Sequence, residues 1–350
     1  MEGDRAGITC PLVSVVIPAY NAAEHLAACL DALAATTYPM HEVIVVDDGS
    51  SDATAAVARA RGVTVVQLAS RCGPAHARNR GARIAQGEIV LFLDSDILVR
   101  QDTVAHMVTT LRDNPGAVAV FGSYDDSPAA PDFLSQFRNL LHHFIHQHSH
   151  AEAETFWAGC GAIYREVFWH MQGFDALRYR EPSIEDIELG LRMRNRGYRI
   201  RLDKTIQVKH LKRWEWRSWL KTDIFQRAVP WSQLFLETGS LPQDLNLRIT
   251  HRVSAASVGL LALAVLLVFF QDLHVFGVSV PGLSFAMALA LIVLLLVLNR
   301  KVYRFFSRKR GMKFMVFAIP LHFLYYFYSG LAFVACWMLY KTKHSTIGGQ

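Results

Sequence analysis

The fold is decided by residues 13–50, which read VSVVIPAYNAAEHLAACLDALAATTYPMHEVIVVDDGS. Two short β-branched runs, Val13–Ile17 and Val43–Val46, enclose a stretch with helical periodicity, Glu24–Ala35. Short apolar runs bounded by turn residues are typical of buried strands. The segment therefore predicts a strand–helix–strand unit with polar residues at the end of each strand.

The same alternation continues beyond residue 50. Glycines stand just past two further helical patterns, where a glycine commonly ends a helix. Alternating strands and helices indicate an open, mostly parallel α/β sheet, which binds ligands beyond the carboxyl ends of its strands. The further predicted elements are the strands Val63–Leu68 and Ile89–Leu93 and the helices Ala53–Arg61 and Ala75–Ala85.

Polar and acidic clusters follow these strands. The clusters are Pro18-Ala19-Tyr20-Asn21, Asp47-Asp48-Gly49-Ser50, Asp94-Ser95-Asp96 and, much later in the chain, Glu185-Asp186. An Asp-x-Asp motif at a strand end can hold Mg²⁺ or Mn²⁺ and leave positions for phosphate oxygens. Each motif alone also suits an ordinary turn. Their joint placement at one sheet edge indicates a site for a divalent cation and a diphosphate.

Together these motifs resemble family 2 of the nucleotide-sugar glycosyltransferases. The resemblance covers roughly residues 13–214 and implies the GT-A fold, an open mixed α/β sheet, with inverting chemistry. It is carried by Ser14–Ser50, by Gly73-Pro74-Ala75-His76-Ala77-Arg78-Asn79, by Asp94-Ser95-Asp96 and by Glu185-Asp186.

The resemblance also implies a donor site. Arg78 would approach the donor diphosphate or nucleoside, a role that suits its fixed positive charge. Asp94 would contact the ribose or the metal, and Asp96 would bind the cation, Mg²⁺ or Mn²⁺, directly. The expected nucleotide-sugar-binding residues are Ala19, Tyr20, Glu24, Asp47, Asp48, Arg78, Asp94 and Ser95.

Asp186 is the candidate general base. A sugar hydroxyl is a poor nucleophile at neutral pH, so a carboxylate beside it would take the proton during attack. Direct displacement at the anomeric carbon would then invert its configuration. Acids at this position also suit the N-terminus of a helix, and the two interpretations are compatible.

His210 follows a predicted strand, Thr205–Lys209. In some relatives a histidine near this place completes the metal site, and a structural or solvent-facing histidine is the alternative. Arg213-Trp214 resembles the end of a motif of processive members, but His210 stands where that motif has glutamine, which argues against processivity. The acceptor-side candidates are Trp157, Gly159, Cys160, Glu185, Arg213 and Trp214. For Trp157, Gly159 and Cys160, core packing is the alternative.

A histidine cluster lies between these motifs. His142, His146 and His150 share a helix face by their spacing, which zinc could use. No carboxylate or cysteine is interleaved, which favours acceptor-side or interfacial placement instead.

Composition separates a globular part from a membrane part. Hydrophobic residues make up 52% of the 350 residues, and the excess lies after residue 250. The five scattered cysteines form no Cys-x-x-Cys pair, so we expect neither a disulfide framework nor a zinc site from them. No apolar run precedes the first strand, so we expect no signal peptide and a cytosolic globular part. The net charge is +6, and the basic residues cluster near the apolar segments. This placement favours a membrane surface over nucleic acid as the partner.

Two charge-free apolar runs, Val253–Phe270 and Leu283–Leu298, are long enough to cross a bilayer as helices. The linker between them has one acid and no Lys or Arg, whereas Asn299–Phe314 has seven Lys and Arg and no acid. The positive-inside rule then places Asn299–Phe314 in the cytosol. The third apolar stretch, Met315–Tyr340, fits either a third span or a re-entrant or interfacial hairpin.

A basic, amphipathic stretch joins the two parts and contains Trp214, Trp216, Trp219 and Trp231. Tryptophan with Arg and Lys is typical of a membrane–water interface, and ordinary helix packing is the alternative. The predicted organisation is an N-terminal tail (1–12), a GT-A catalytic domain (13–213), an interface region (214–252), a transmembrane region (253–340) and a C-terminal tail (341–350).

The predicted function is inverting, metal-dependent transfer of a sugar to a hydroxyl of a lipid or glycan acceptor. The expected donor is a nucleotide-diphosphate sugar, above all a UDP-sugar. The expected location is a cell or inner membrane. A polyprenyl-phosphate glycosyltransferase is the closest alternative, although its anionic acceptor needs no base. A processive polysaccharide synthase would need more spans. A non-catalytic membrane scaffold is the alternative from another class, and the intact Asp48, Asp94, Asp96 and Asp186 count against it.

Overall fold

The structure is a computed structural model that describes residues 10–239, 248–269, 274–275 and 278–347. Most of the predicted N-terminal tail, residues 240–247 of the interface region, much of the linker between the first two spans and residues 348–350 lie outside the described residues. The chain divides into two units, Met1–Pro131 with Ser149–Arg213 and Asp132–His148 with Trp214–Gln350. The second unit thus includes a segment that the sequence prediction assigned to the catalytic domain.

The first unit is built on one mixed sheet. Its strands are β1 Val13–Ala19, β2 His41–Asp47, β3 Thr64–Gln67, β4 Ile89–Leu93, β5 Ile97–Leu98, β6 Ala117–Tyr124, β7 Glu152–Ala153, β8 Cys160–Tyr164 and β9 Arg199–His210. The predicted strands are confirmed as β1, β2, β3 and β4, and the strand predicted before His210 is the end of β9.

The three helices predicted between these strands are confirmed within two residues at each end. The helices of both units, in chain order, are α1 Ala23–Ala34, α2 Thr54–Arg59, α3 Pro74–Ile84, α4 Thr103–Asp113, α5 Phe133–His148, α6 Arg165–His170, α7 Glu185–Asn195, α8 Trp216–Asp223, α9 Val229–Thr238, α10 Ile249–Val268, α11 Val280–Leu298 and α12 Arg300–Ile347. A π-helical turn, Ile224–Ala228, joins α8 to α9.

The strand order is β3–β2–β1–β4–β8–β6–β9–β5, with β7 paired to β9. The first four strands in this order are parallel, β8 is antiparallel to both β4 and β6, and β6 is parallel to β9. The carboxyl ends of β1, β2 and β4 therefore meet at one edge, where open α/β sheets bind ligands. Asp47, Asp48 and Asp94 lie at this edge.

The core of the first unit explains the continuous apolar runs in its sequence. Val15, Ile17 and Leu91 in the central strands are completely buried, and Leu26 and Leu33 of α1 are buried in the same cluster. Parallel strands are covered on both faces, so nearly every residue is apolar rather than every second one. Each fully buried side chain of this size contributes about 1.5–3 kcal/mol.

The second unit contains the membrane candidates. Helices α10 and α11 and the Arg300–Lys343 part of α12 are each long and apolar enough to cross a membrane. The third apolar stretch is therefore a helix of sufficient length, where the sequence left a span and a hairpin open. Gly311, with φ +84°, interrupts the helical path of α12, so that residues 300–310 form a separate helical segment.

Buried aromatic and polar contacts hold the second unit together. Phe137, Trp219 and Phe306 are fully buried in one cluster. Trp214 also lies in this cluster, as ordinary helix packing predicts, whereas Trp216 is 52% exposed. The cluster accounts for two of the four tryptophans that the sequence analysis considered for the membrane interface.

Asn299, at the junction of α11 and α12, connects these helices to α10. Its side-chain amide donates to Ser254 Oγ at 3.1 Å, and Tyr326 donates its hydroxyl proton to Asn299 Oδ1 at 2.8 Å. Hydrogen bonds of this kind stabilise helix association inside a membrane, where an unpaired polar group is costly.

Candidate active site

The turns after β1 and β2 form one edge of the site. The Asp48 N–H donates to the carbonyl of Ala19 at 2.8 Å, and the Asn21 N–H donates to Ser50 Oγ at 2.9 Å. These bonds hold Tyr20, 44% exposed, with its ring 4.6 Å from the guanidinium carbon of Arg71. An exposed ring held in this way offers a face on which a nucleobase could stack.

Asp47, at the end of β2, and Glu24, in α1, are two acids of the predicted nucleoside pocket. Asp47 Oδ1 accepts the Ser50 N–H at 3.0 Å, and its buried Oδ2 receives no hydrogen bond within the described part of the chain. Glu24 is exposed in the first turn of α1. Asp47 therefore has an unused acceptor at the predicted nucleoside pocket, and Glu24 is accessible.

Asp48 is occupied by main-chain donors. Its Oδ1 accepts the Cys72 N–H at 2.7 Å and its Oδ2 accepts the Gly73 N–H at 2.8 Å. The carboxylate thus fixes the loop that leads into α3. The structure places Asp48, which is almost completely buried, as the anchor of this loop beside the predicted pocket.

Gly73 is required by the geometry of this loop. Its φ is +93°, and a Cβ atom built on it would overlap the carbonyl of Arg180. A side chain would therefore be strained by the backbone conformation and would also displace a neighbouring main chain. This explains the glycine that opens the Gly-Pro-Ala-His-Ala-Arg-Asn motif.

Arg78, on α3, joins two acids from distant parts of the sequence. Its Nη2 donates to Asp94 Oδ1 and its Nη1 to Glu185 Oε1, both at 2.7 Å. Burial alone would lower the pKa of Arg78, but attraction to Asp94, Glu185 and Asp186 raises it above the ordinary value. The guanidinium is therefore permanently charged and directed at two carboxylates, and its approach to the donor stays a prediction.

Asp94 and Asp96 follow β4 and contact different side chains, Arg78 and His210. His210 Nε2 lies 3.4 Å from Asp96 Oδ2, because the Ile97–His210 pairing of β5 and β9 brings the histidine beside the turn. Burial raises the pKa of Asp94, and repulsion from Asp96 adds to this against the attraction of Arg78. For Asp96, burial alone would raise the pKa, but the interactions with His210, together with attraction to Lys212 and His25, lower it below the ordinary value.

These residues fit a divalent cation. An octahedral cation with ligands at about 2.1 Å holds neighbouring ligand atoms about 3.0 Å apart, close to the 3.4 Å between Asp96 Oδ2 and His210 Nε2. A cation would also relieve the repulsion between Asp94 and Asp96. Within the described ranges, no three His, Cys, Asp or Glu side chains are grouped closely enough to form a complete metal site. Any cation here would need further ligands, such as phosphate oxygens.

Asp186 lies in the first turn of α7. Its Oδ2 accepts the Ala158 N–H at 2.9 Å and its Oδ1 accepts the Ile187 N–H at 2.8 Å. Burial, followed by repulsion from Glu185, raises the pKa of Asp186 to about 6. A partly exposed carboxylate with this pKa suits a general base near neutral pH.

The acceptor-side candidates differ in burial and in the residues that they contact. The indole of Trp157 is folded over Gly159, so closely that a Cβ on Gly159 would lie 2.5 Å from its ring. Cys160 is completely buried in the core of the sheet, and Arg213 is exposed. Glu185 and Trp214 are both buried: Glu185 pairs with Arg78, and Trp214 belongs to the second unit.

Sequence reasoning missed Tyr124, at the end of β6. Its ring stacks on His210 with centroids 4.3 Å apart and meets Trp157 edge-on at 5.0 Å. These three rings form a row that begins beside Asp96. The available signal was the short apolar run before Tyr124, Ala117–Phe121, but only the sheet order shows that the strand it forms neighbours β9.

The histidine cluster is divided between the units. His142 and His146, on α5, have ring centroids 4.1 Å apart, whereas His150 belongs to the first unit. His143 stacks on Phe305 within the second unit. No zinc-binding trio is present in this cluster, all of whose members are described.

Comparison with known proteins finds a family similarity in the N-terminal part. Residues 14–171 match the family model of Glycosyl transferase family 2. The chain is similar to Glycosyltransferase GlyG of Streptococcus pneumoniae, 31% identical over 33% of this chain and 41% of the relative. It is also similar to Glycosyltransferase AglE of Haloferax volcanii, 35% identical over 38% of this chain and 47% of the relative. The matches thus span less than half the length of these relatives.

A solved structure shows the same fold. The mannosyltransferase PcManGT of Pyrobaculum calidifontis, in complex with GDP-Man and Mn²⁺, superposes with a TM-score of 0.52 at 20% identity. The superposition covers 93% of this chain and 87% of that chain. The expected GT-A fold is therefore confirmed, followed by three helices that are long and apolar enough to cross a membrane.

Proposed function

Since residues 14–171 match the family model of Glycosyl transferase family 2, we propose that this protein transfers a sugar from a nucleotide-diphosphate sugar to a hydroxyl of a membrane-associated acceptor. The observation that carries the proposal is the convergence of Asp94, Glu185 and Asp186 on Arg78, next to Asp96 and His210. Acids from separate elements meet at the edge of the sheet where ligands bind. A scaffold would not need this arrangement.

The donor would bind along the turns after β1 and β2. Tyr20 offers a ring face, and the buried Oδ2 of Asp47 offers a free acceptor for a base or ribose group. Ala19, Glu24, Asp48 and Ser95 would complete this subsite. The solved mannosyltransferase is in complex with GDP-Man, so both uridine and guanosine donors belong in the first assay.

Asp186 would act as the general base. It would accept the proton of the acceptor hydroxyl while that oxygen attacks the anomeric carbon of the donor sugar. The bond from the anomeric carbon to the diphosphate oxygen would break, and its electron pair would leave with the nucleoside diphosphate. One displacement of this kind inverts the anomeric configuration, and it leaves Asp186 protonated for return to solvent.

Asp96 and His210 would hold a Mg²⁺ or Mn²⁺ ion, with Asp94 beside them. When bound, the cation would neutralise the charge that develops on the diphosphate as it leaves. The solved mannosyltransferase is in complex with Mn²⁺, which supports the same class of ion here. The protein would contribute the carboxylate of Asp96 and the imidazole of His210, held 3.4 Å apart.

The acceptor would come from the membrane. Three helices of this chain are long and apolar enough to cross a bilayer. The seven Lys and Arg residues of Asn299–Phe314 support a cytosolic position for that segment by the positive-inside rule. The catalytic domain would then also be cytosolic. Cysteines introduced at Lys301 and at Gln271, in the linker between the first two spans, test this orientation with a membrane-impermeant thiol reagent on intact cells: Lys301→Cys should stay unlabelled and Gln271→Cys should be labelled.

Release of nucleoside diphosphate by the purified full chain tests the function. Wild-type protein with Mn²⁺ or Mg²⁺ should transfer sugar to a lipid acceptor that carries a hydroxyl, and EDTA should abolish transfer. Asp186→Asn should lose turnover and keep donor affinity, whereas the exposed Asp175→Asn should keep both. Transfer only to a polyprenyl phosphate would favour the phosphate acceptor, and a long polymer would favour a processive synthase. A failure to bind any nucleotide sugar would favour a scaffold.

A further inference from the structure

A closed ring of contacts joins Asp94 to Asp186 by two routes. The side-chain route runs from Asp94 Oδ1 to Arg78 Nη2 at 2.7 Å, and from Arg78 Nη1 to Glu185 Oε1 at 2.7 Å. Glu185 directly precedes Asp186 at the start of α7. This route therefore crosses from the end of β4 through α3 to the helix that carries the proposed base.

The second route runs through the main chain. The Asp94 N–H donates to the carbonyl of Gly159 at 3.0 Å. The N–H of the neighbouring Ala158 donates to Asp186 Oδ2 at 2.9 Å. Both routes thus begin at Asp94 and end at Asp186.

We propose that Arg78 and Glu185 are positioning residues, which hold the Asp186 carboxylate in register with the strand end that carries Asp94 and Asp96. The inference rests on the proposed function for the role of Asp186. Neither residue needs to touch the substrate. Together they would keep the proposed base at a fixed distance from the proposed diphosphate and cation site.

Burial makes the side-chain route stiff. The side chains of Arg78 and Glu185 are 7% and 5% exposed, and Glu185 Oε2 also accepts the Ser183 N–H at 3.0 Å. Rotation of Glu185 would break bonds at both oxygens and leave a buried charge unpaired. Buried ion pairs add little net stability over apolar packing, so orientation is the main benefit of this one. A displacement of 1 Å in a catalytic group can cost about 100-fold in rate.

The ring also brings like charges together. Asp94, Glu185 and Asp186 all lie in the field of one guanidinium. Burial and then the negative charge of Glu185 raise the pKa of Asp186 to about 6. Glu185 therefore makes Asp186 a stronger base as well as fixing its place, and removal of the Glu185 charge should weaken it.

Hydrogen–deuterium exchange and pH–rate profiles test this inference on the full chain. In Glu185→Gln and in Arg78→Lys, amide exchange of residues 155–160 and 183–188 should be at least tenfold faster than in the wild type. In Glu185→Gln, kcat should also fall at least tenfold, with the donor Kd within threefold of wild type. The fall of kcat/KM at acid pH should occur at lower pH in Glu185→Gln than in the wild type. The reason is that loss of the negative charge beside Asp186 lowers the pKa of Asp186.

Glu185→Asp separates charge from position. The shorter side chain keeps the negative charge but should lose Arg78, so kcat should fall while the acid limb stays near its wild-type pH. Glu152→Gln is the matched control, since Glu152 pairs with Arg194 on the far end of the same helix at 2.9 Å but is 45% exposed. It should leave exchange, kcat and the acid limb unchanged.

The outcomes distinguish the ring from the function. Unchanged amide exchange in both Arg78→Lys and Glu185→Gln would overturn the positioning role of these two residues, whatever the activity of the variants. Equal losses of donor affinity and kcat would also overturn it, because the residues would then act in donor binding. If the wild type transfers no sugar from any donor, the proposed function fails, and the exchange experiment still decides whether Arg78 and Glu185 hold residues 155–160 and 183–188 in place.

Discussion

His210 Nε2 lies 3.4 Å from Asp96 Oδ2, although the two residues come from opposite halves of the first unit's sequence. The contact depends on β5, a strand of two residues that pairs Ile97 with His210 at the end of β9. The imidazole is further held by the ring of Tyr124, stacked 4.3 Å away. A short strand thus brings together the two residues that are proposed to hold the cation.

His210→Ala should weaken Mn²⁺ binding by about 10- to 100-fold, the range typical for loss of a residue that supports a metal site. Electron paramagnetic resonance of free Mn²⁺ and the Mn²⁺ dependence of turnover measure this. His106→Ala is the control, because His106 also faces an aspartate, Asp102, at 3.8 Å but is 48% exposed. Unchanged Mn²⁺ affinity in His210→Ala would remove His210 from the cation site.

Turnover should fall as pH drops through about 6. The base must be deprotonated to accept the hydroxyl proton, and the pKa of Asp186 is raised to about 6. Below that pH, kcat/KM should fall about tenfold per pH unit, since each unit lowers the ionised fraction tenfold. Above it, this group should impose no further dependence. An acid limb near the ordinary aspartate pKa would contradict the assignment.

Gly73→Ala should destabilise the first unit by about 1–3 kcal/mol, the usual cost of a strained backbone, with further cost from the overlap with the Arg180 carbonyl. Gly62→Ala is the matched control. Gly62 also has positive φ, +69°, but a Cβ there meets nothing within 4 Å. It should therefore cost only about 1 kcal/mol. Thermal unfolding in detergent compares the two, and equal losses would show that the overlap is relieved cheaply.

Asp223→Ala should destabilise the second unit by about 3–5 kcal/mol, because it leaves the buried Arg138 without its carboxylate. Asp223 Oδ1 lies 2.6 Å from Arg138 Nη2, and its Oδ2 accepts the Trp219 indole N–H at 2.9 Å. The side chains of Asp223 and Arg138 are 2% and 10% exposed.

Asp31→Ala is the comparison for this pair. Asp31 lies 2.7 Å from Arg61 Nε, nearly the same distance, but its side chain is 64% exposed. Exposed pairs contribute little to stability because water screens the charges, so Asp31→Ala should leave the unfolding midpoint almost unchanged. The difference between the two unfolding midpoints therefore measures the effect of burial, and similar shifts would contradict it.

Local patterns in the sequence were sufficient for the first half of the sheet. Strands β1 to β4 and helices α1 to α3 lie where the apolar runs and glycines predict them. The paths of β6 and β8 were not predicted. Their pairing depends on contacts distant in sequence, and the antiparallel insertion of β8 between β4 and β6 leaves no local signal.

The site residues show the same division. The strand ends predicted that Asp47, Asp48, Asp94 and Asp96 would share an edge, and they do. The partners were not predictable: Asp48 holds the amides of Cys72 and Gly73, and Arg78 bridges Asp94 and Glu185. The direction of a long side chain depends on which charges burial brings within reach, and residue order does not encode this locally.

The sequence by itself determined the α/β alternation, the acids at the strand ends and the apolar segments, because each follows from hydrophobic periodicity and local backbone preference. Tertiary structure alone decided that α5 belongs with the C-terminal helices, that β5 brings His210 to Asp96, and that Arg78 faces carboxylates. These outcomes depend on contacts between residues far apart in the chain. Only the folded packing selects among the many partners that such residues could meet.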